Sequence, residues 1–211
     1  MTGPGTDTLC ARLRADGDEV TVFHANGFGG AAFTRWAQIG AFKAVVDYTP
    51  HALPRNYIAG AHADMPERFT ATGHLPRVVL PGGVNFIGMG EAALLPDAYK
   101  SRPHYAHSPL FTHVQCSEAE MVICADVLGT ALQQAEAPVR VLIPMGGFRH
   151  EDSPGGAIED KALREIAADI LEREAGAYRA RRLPYHINAP EVAQAAVDAL
   201  YATMSHRIEH A

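Results

Sequence analysis

Short runs of apolar, mostly β-branched residues alternate along the chain with helical patterns. Such alternation is typical of βα units, in which helices connect parallel strands. We predict an α/β fold of the Rossmann-like kind, with a mainly parallel sheet that carries helices on both faces. One domain is expected to span residues 1–211. The predicted strands are residues 20–23, 43–47, 77–80, 104–107, 139–143 and 182–187.

Helices are predicted between these strands. The clearest pattern covers residues 117–134, because Ser117 and Glu120 have the spacing of a capping box and apolar residues then recur on one face. The other predicted helices run from residue 6 or 7 to about 15, from the glycines at 27–30 to Trp36, and over 67–72, 160–174 and 190–206.

The first predicted element is a helix, although doubly wound sheets usually begin with a strand. Residues 1–5, Met-Thr-Gly-Pro-Gly, already have the sequence of a turn. Two interpretations stay open: a strand order that begins with a helix, or a first strand outside this chain, in a lost segment or a partner polypeptide. In the second case an exposed sheet edge would need a cover, which predicts self-association or pairing with another chain.

Three of the predicted strands end in glycine-rich turns, at residues 26–30, 82–83 and 146–147. Ligands of parallel sheets bind beyond the carboxyl ends of the strands, where glycine lets backbone N–H groups face an anion. Three such turns at one edge favour a phosphate or carboxylate site, although tight packing could explain any one of them. The spacing matches neither a Walker A loop nor G-x-G-x-x-G. The predicted ligand-binding residues are Asn26, Gly27, Gly29, Gly30, Gly82, Gly83, Asn85, Gly146 and Gly147.

Polar side chains stand at the same strand ends and could carry proton transfer. His24, Asp47 and His107 are the predicted catalytic residues, because histidine at such a place can act as an acid or base near neutral pH. Capping of turns is the competing interpretation, and contact with substrate or Mg²⁺ is a further one for Asp47. Another polar run, residues 149–152, follows the strand predicted at 139–143.

Composition narrows the possible functions. The 211 residues are 47% hydrophobic and carry a formal net charge of −6, which supports a packed core and argues against nucleic-acid binding. The short basic run Arg179, Arg181 and Arg182 is interpreted as a solvated strand end. No apolar stretch approaches the ~18 residues of a membrane span, and the N-terminus lacks the order of a signal peptide. We therefore expect a cytoplasmic protein that binds no membrane.

Cysteines and histidines do not have the spacing of a metal site. The three cysteines fit neither a disulfide framework nor a zinc knuckle, which suits a reducing compartment. Cys116 precedes the helix predicted at 117–134, whose N-terminus could lower the pKa of its thiol. His51, His62, His74 and His113 lack the H-x-x-x-H spacing of a helical zinc site, so no metal site is predicted.

Several short motifs, in order, resemble those of the Tm-one-like ATP-binding family. The segment at 22–30, Val-Phe-His-Ala-Asn-Gly-Phe-Gly-Gly, is similar to the family's VFHATGTGG. Similar segments follow in the same order at 46–49, 80–83, 107–109, 141–144, 152–155 and 187–190. The similarity covers nearly the whole chain, but it corresponds to the C-terminal lobe of the family's two-lobed unit.

This resemblance implies two Rossmann-like lobes, with ATP and Mg²⁺ held mainly by an N-terminal lobe that this chain does not include. It would also place the start of the chain just after a first strand. The family pattern implies an acid where Asn85 stands, and another among residues 51–53, where this chain has His-Ala-Leu. If those acids act on a metal or on protons, this protein is altered in that step.

Two functions are therefore expected, and whether the chain is an enzyme stays open. The first is a nucleotide-associated small-molecule enzyme lobe that binds a phosphate or carboxylate ligand at the glycine-rich strand ends. The second is a non-catalytic ligand-binding or regulatory module that pairs with a separate N-terminal lobe. Asn85 favours the second function, whereas His24 and His107 favour the first. In both cases we expect a homo-oligomer or a complex with the separate lobe.

Overall fold

Four short strands form a parallel sheet in the computed structural model, which describes residues 1–60, 66–174 and 178–208. They are β1 (Val45–Asp47), β2 (Arg77–Val79), β6 (Val139–Pro144) and β7 (Arg179–Leu183), and β1-β2-β6-β7 is also their spatial order. The predicted α/β fold with a parallel sheet is confirmed.

A second, antiparallel sheet is built from a part of the chain in which only one strand was predicted. Its strands are β3 (Phe86–Met89), β4 (His104–Ser108) and β5 (Phe111–Gln115), in the order β3-β5-β4. The strand predicted at 104–107 therefore exists, but the prediction that it ends at the edge of the parallel sheet is wrong.

Seven helices occur among the described residues. The capping box of α5 is present, with the Ser117 side chain accepting from the Glu120 N–H and Glu120 accepting from the Ser117 N–H. Asp160 caps α6 in the same way, by accepting from the Leu163 N–H at 3.1 Å. The helices are α1 (Gly3–Ala15), α2 (Gly27–Gln38), α3 (Ala52–Tyr57), α4 (Asp97–Lys100), α5 (Glu118–Gln133), α6 (Lys161–Arg173) and α7 (Pro190–Ile208).

Helices cover both faces of the parallel sheet, as predicted. Alternate residues of a strand point to opposite faces, and the core divides accordingly. Val78 and Leu142 pack with α1 and α7 on one face. Val79 and Val141 pack with α5 and α6 on the other. The connecting turns and the antiparallel sheet lie beyond the carboxyl ends of β1, β2 and β6.

Residues 20–23, predicted as a strand, pair with no strand in the described part of the chain. The side chain of Val22 is 56% exposed, whereas Phe23 packs its ring against Phe33 and Phe42 at centroid distances of 5.8 Å. A β-branched run forms a strand only where a neighbouring strand can receive its hydrogen bonds, and here α2 and its flanking turns occupy the place beside β1.

Two further elements differ from the prediction. The last strand covers Arg179–Leu183 instead of residues 182–187, so Arg179 begins it and Arg181 and Arg182 lie inside it. Within residues 67–72 the only helix is the end of a short 3-10 helix, Pro66–Arg68. No helix in the described part of the chain is both long and apolar enough to cross a membrane.

Candidate functional site

The turn after β2 places Gly82 and Gly83 where a larger residue would not fit. A Cβ on Gly82 would lie 2.9 Å from Ile187 Cδ1 and closer still to the carbonyl oxygen of Tyr48. Gly83 has a φ of +66° and donates its N–H to the Phe148 carbonyl at 3.1 Å. Packing and backbone conformation thus account for both glycines, while their predicted contact with a ligand stays a prediction.

The turn after β6 is packed in the same manner. Gly146 donates its N–H to the Tyr185 carbonyl at 2.9 Å, and Gly147 donates to Pro144 at 3.1 Å. A Cβ on Gly146 would lie 2.5 Å from the backbone nitrogen of His186. Because these N–H groups already have protein acceptors, an anion at this turn would have to displace them.

The glycines at 27–30 belong to the first turn of α2 instead of a separate loop. Asn26 is the N-cap, and its side chain accepts from the Gly29 N–H at 2.7 Å. Gly29 lies directly against the His24 carbonyl oxygen, and the His24 side chain is exposed. His24 therefore stands just before the N-terminus of α2 and follows no strand in the described part of the chain.

Asp47 ends β1, as predicted, but its carboxylate is already engaged. Arg68 donates from both Nη1 and Nη2 to the two carboxylate oxygens, each at 2.8 Å. The pair is buried, and the Arg68 guanidinium also lies 4.6 Å from the centre of the Phe33 ring. A bidentate pair of this kind holds residues 66–68 against the sheet, so catalysis by Asp47 would require the pair to open.

A buried group of ring and guanidinium side chains lies beyond the carboxyl ends of the strands. We refer to His51, Phe86, His113 and Arg149 as the Phe86 cluster. The His51 ring stacks on Phe86 at 3.9 Å, His113 is tilted against it at 4.2 Å, and the Arg149 guanidinium lies 4.0 Å from its centre. All four side chains are buried.

The topology explains why these residues meet. His51, Phe86 and Arg149 follow the ends of β1, β2 and β6, which neighbour one another in the parallel sheet. His113 comes from β5, which pairs with β3 and so lies over the same edge. The sequence named His51 and His113 only among histidines without the spacing of a metal site, because β5, which brings His113 to this edge, was not predicted.

The two buried histidines have opposite hydrogen bonds at the same ring atom. His51 Nδ1 lies 2.7 Å from the Gly83 carbonyl oxygen and must donate, so its Nε2 carries the lone pair. His113 Nδ1 lies 2.7 Å from Arg149 Nη1 and must accept, so its Nε2 carries the proton. Burial, and then the charge of Arg149, lower the pKa of His113 to about 2. Burial, and then Arg55, lower that of His51 well below its usual 6.5.

Several buried polar atoms here have no partner among the described residues. They include Arg149 Nη2, His113 Nε2 and His51 Nε2. Asn85, which precedes Phe86, is buried with both of its side-chain polar atoms unpaired. A buried unsatisfied polar group costs about 1–3 kcal/mol, and more when it is charged. This set of unmet donors and acceptors distinguishes the cluster from ordinary core.

His107 and Glu151 border the cluster. The exposed His107 ring stacks on His113 with centroids 4.8 Å apart, and ligand atoms of His107, His113 and Glu151 all lie within 4.8 Å of one another. Of the predicted catalytic residues, only His107 reaches this group. His24 and Asp47 are held elsewhere, and their roles stay predictions.

Two histidines and a glutamate could in principle hold a metal ion, but this arrangement disfavours one. His113 Nε2 carries a proton, because Arg149 donates to Nδ1, and metal-bound histidines normally donate from the second nitrogen instead of accepting there. The positive charge of Arg149 would also repel a cation. The unpaired N–H groups of Arg149 and His113 fit an anion better.

The thiol of Cys116 is not activated. Burial raises its pKa well above the usual value, in contrast to the prediction that the following helix could lower it. Cys10, Cys116 and Cys124 are all free and buried. His62, named with the other histidines, lies outside the described residues.

Comparisons with the sequences of known proteins identify the family of this chain. Residues 1–204 match the model of a family described as "Uncharacterised protein family (UPF0261) C-terminal domain". A UPF0261 protein of Rhizobium meliloti is 32% identical over 204 residues, covering 94% of this chain and 51% of that protein. A UPF0261 protein of Brucella melitensis is 29% identical over 192 residues, 90% of this chain and 46% of its own length.

A plant relative extends the comparison. The ToMV resistance protein Tm-1(GCR237) of Solanum lycopersicum is 28% identical over 204 residues, which are 94% of this chain and 27% of that protein. The resemblance inferred from the motifs is thereby confirmed. The chain spans about half the length of the bacterial relatives it matches.

Proposed function

We propose that this chain, which belongs to the UPF0261 C-terminal domain family, is a lobe that binds a small anionic ligand at the Phe86 cluster. The ligand carries a phosphate or carboxylate group. The lobe serves a nucleotide-associated small-molecule enzyme, in which a separate N-terminal lobe holds ATP and Mg²⁺. Among the described residues, the N–H groups of Gly83, Gly146 and Gly147 already have acceptors, which supports nucleotide binding mainly outside this chain.

The observation that carries the proposal is the state of Arg149. Its guanidinium is fully buried, and Nη2 has no acceptor among the described residues. Glu151 Oε2 forms an ion pair with Nε at 3.8 Å, a separation beyond hydrogen-bond distance, so the N–H groups of the guanidinium are not used by it. Because a phosphate or carboxylate oxygen would accept from the guanidinium fork and from His113 Nε2–H, it would satisfy the donors that the fold leaves open.

Proton transfer at this site falls to His107 and His51. His107 is exposed at the border of the cluster, and its ring nitrogen lies within 4.8 Å of ligand atoms of His113 and Glu151, so it connects the cluster to solvent. His51 holds a free lone pair on a buried nitrogen, and because burial lowers the pKa of this ring, it can receive a proton only from a strongly acidic group of a bound ligand. Neither role requires the glycine turns to change conformation.

Calorimetric titration with inorganic phosphate, ATP, ADP and short-chain carboxylates tests the proposal. We expect one of these anions to bind the native chain, and Arg149→Lys to weaken binding by about 10- to 100-fold, since a hydrogen bond to a charged group contributes about 1.5–3 kcal/mol. His107→Gln should also weaken binding. Because His107 is exposed, this variant still tests the site if Arg149→Lys fails to fold.

Two controls make the result specific. Arg173→Gln removes the same charge from an exposed ion pair with Asp126 and should leave the affinity unchanged. His24→Ala should also have no effect on binding at the cluster. If no anion binds, or if His24→Ala abolishes binding while Arg149→Lys does not, the proposed site is wrong.

A second function, pairing without catalysis, is favoured by one observation. Phe33 and Ala37 of α2 face the core, while Phe28 and Trp36 are 92% and 52% exposed and Ile39, the C-cap, is 67% exposed. Neighbouring exposed apolar side chains of this kind commonly mark an interaction surface. In this alternative the outer face of α2 contacts a second copy or the separate N-terminal lobe, and the anion site is regulatory.

A further inference from the structure

Strand β7 carries three arginines that point to opposite faces of the sheet. Arg182 faces α6, where it is paired with carboxylates of that helix: Asp169 at 2.5 Å, Glu172 at 2.9 Å, and Glu165. Arg179 and Arg181 face α7 instead, as alternation along a strand requires. The charge on one face is therefore neutralised by the protein.

The charge on the α7 face is not neutralised. Arg140 of β6 is the cross-strand partner of Arg179, and Arg181 stands opposite Leu142, one pleat further along the same face. Among the described residues, no carboxylate lies within ion-pair distance of Arg140, Arg179 or Arg181. Like charges directly opposite each other destabilise a sheet, and no ion pair among the described residues offsets this cost.

Small side chains leave space beside these arginines. The three guanidinium-bearing residues line an open cavity of about 210 Å³ whose helical wall is Ala195, Ala199 and Ala202 of α7. Asp198 also lines it, but its Oδ1 accepts from Gln194 Nε2 at 2.8 Å. Pockets that enclose whole organic ligands measure about 300–1,000 Å³, so this cavity fits a smaller group.

We infer that the arginine face, Arg140, Arg179 and Arg181 beside α7, is a second anion site that binds a phosphoryl group carrying at least two negative charges. The paired N–H donors of a guanidinium match two phosphate oxygens. Three guanidinium groups carry more positive charge than one carboxylate can balance, which favours a ligand with at least two negative charges. The phosphoryl group belongs to a free phosphate or diphosphate, or to the terminal phosphates of a larger molecule whose remaining part lies in solvent. This site is separate from the Phe86 cluster and does not depend on it.

Titration with inorganic diphosphate at low ionic strength is the direct test. We expect binding by the native chain that weakens as salt is added, and at least a tenfold loss in Arg140→Gln/Arg179→Gln. ATP and inorganic phosphate, titrated in parallel, separate a terminal-phosphate ligand from a free ion. Arg182→Gln is the matched control, because it removes one arginine from the opposite face of the same strand, and it should bind diphosphate as the native chain does.

A second variant distinguishes a site from general attraction to positive charge. Ala202→Leu fills the cavity from the exposed end of α7 without changing the charge, and it should also lower the affinity for diphosphate. The inference is overturned if the native chain binds no diphosphate, or if Arg182→Gln weakens binding as much as Arg140→Gln/Arg179→Gln. It is also overturned if Arg149→Lys alone removes the bound diphosphate, because the ion would then occupy the Phe86 cluster.

Discussion

At the residue scale, the tautomers of His51 and His113 decide what the Phe86 cluster can bind. His51 donates from Nδ1 to a carbonyl oxygen, which leaves the lone pair on its Nε2 unpaired. His113 accepts at Nδ1 from a guanidinium, which leaves its Nε2–H unpaired. Protonation of His113 at Nδ1 would break its hydrogen bond with Arg149, and burial opposes the charged form of both rings. The cluster therefore combines a positive charge with two neutral rings, a combination that accepts an anion without first releasing protons.

These buried neutral histidines predict an acid-sensitive fold. Both have a lower pKa in the folded chain than the usual 6.5, so below about pH 6.5 the unfolded chain binds more protons than the folded one. The free energy of unfolding should fall as the pH is lowered, by about 1.4 kcal/mol per pH unit for each histidine. Urea unfolding at several pH values between about 7 and 5 measures this slope.

His51→Gln should make this slope shallower, because the amide can still donate to the Gly83 carbonyl but does not titrate. His74→Gln, which replaces an exposed histidine, should leave the slope unchanged. Equal slopes in the native chain and in His51→Gln would contradict the neutral, buried state assigned to His51.

At the element scale, the glycine turns join strands to the elements beyond them. The turn after β2 brings Gly82 against Tyr48 and Ile187, and so ties β2 to the segment after β1 and to the approach to α7. The turn after β6 does the same with residues 185–187. The two glycine turns at this edge are thus explained by close backbone packing, and the unpaired polar atoms lie in side chains that follow the turns.

Gly82→Ala tests this interpretation. The added methyl group would meet the Tyr48 carbonyl and Ile187 Cδ1, so we expect a loss of about 1–3 kcal/mol in the free energy of unfolding, the range for overpacking. Gly90→Ala is the control, since its Cβ would meet nothing within 4 Å and its backbone is not in the left-handed region. If both variants unfold at the same urea concentration as the native chain, Gly82 is not required for packing.

At the scale of the whole molecule, the free surfaces differ in character. The arginine face has like charges on an edge strand, and charges there discourage edge-to-edge pairing with another sheet. The outer face of α2 carries the exposed Phe28 and Trp36, and Val22, before this helix, is also exposed. Contact between chains is therefore expected at α2, on the opposite side of the sheet order from β7.

Light scattering coupled to size-exclusion chromatography tests that expectation. The native chain should form a dimer at micromolar concentration, and Phe28→Ser/Trp36→Ser should be monomeric with an unchanged fold by circular dichroism. Leu110→Ser, which alters another side chain with 71% exposure, should leave the dimer intact. A native monomer would contradict the homo-oligomer and leave a separate N-terminal lobe as the partner to be tested by co-purification.

The sequence by itself determined the α/β class, the strands at 43–47, 77–80 and 139–143, and the capped helices α5 and α6, because periodicity and capping depend on residues a few positions apart. It also indicated the family, since its motifs occur in a characteristic order. Only the tertiary structure decided which polar residues meet. The chain crosses from the parallel sheet to the antiparallel one between Gly83 and Phe86, and β5 then brings His113 back over the same edge. Long-range pairing of this kind leaves no local pattern, so Arg149, His51 and His113 could not be grouped in advance, and Asp47 could not be seen to be paired with Arg68.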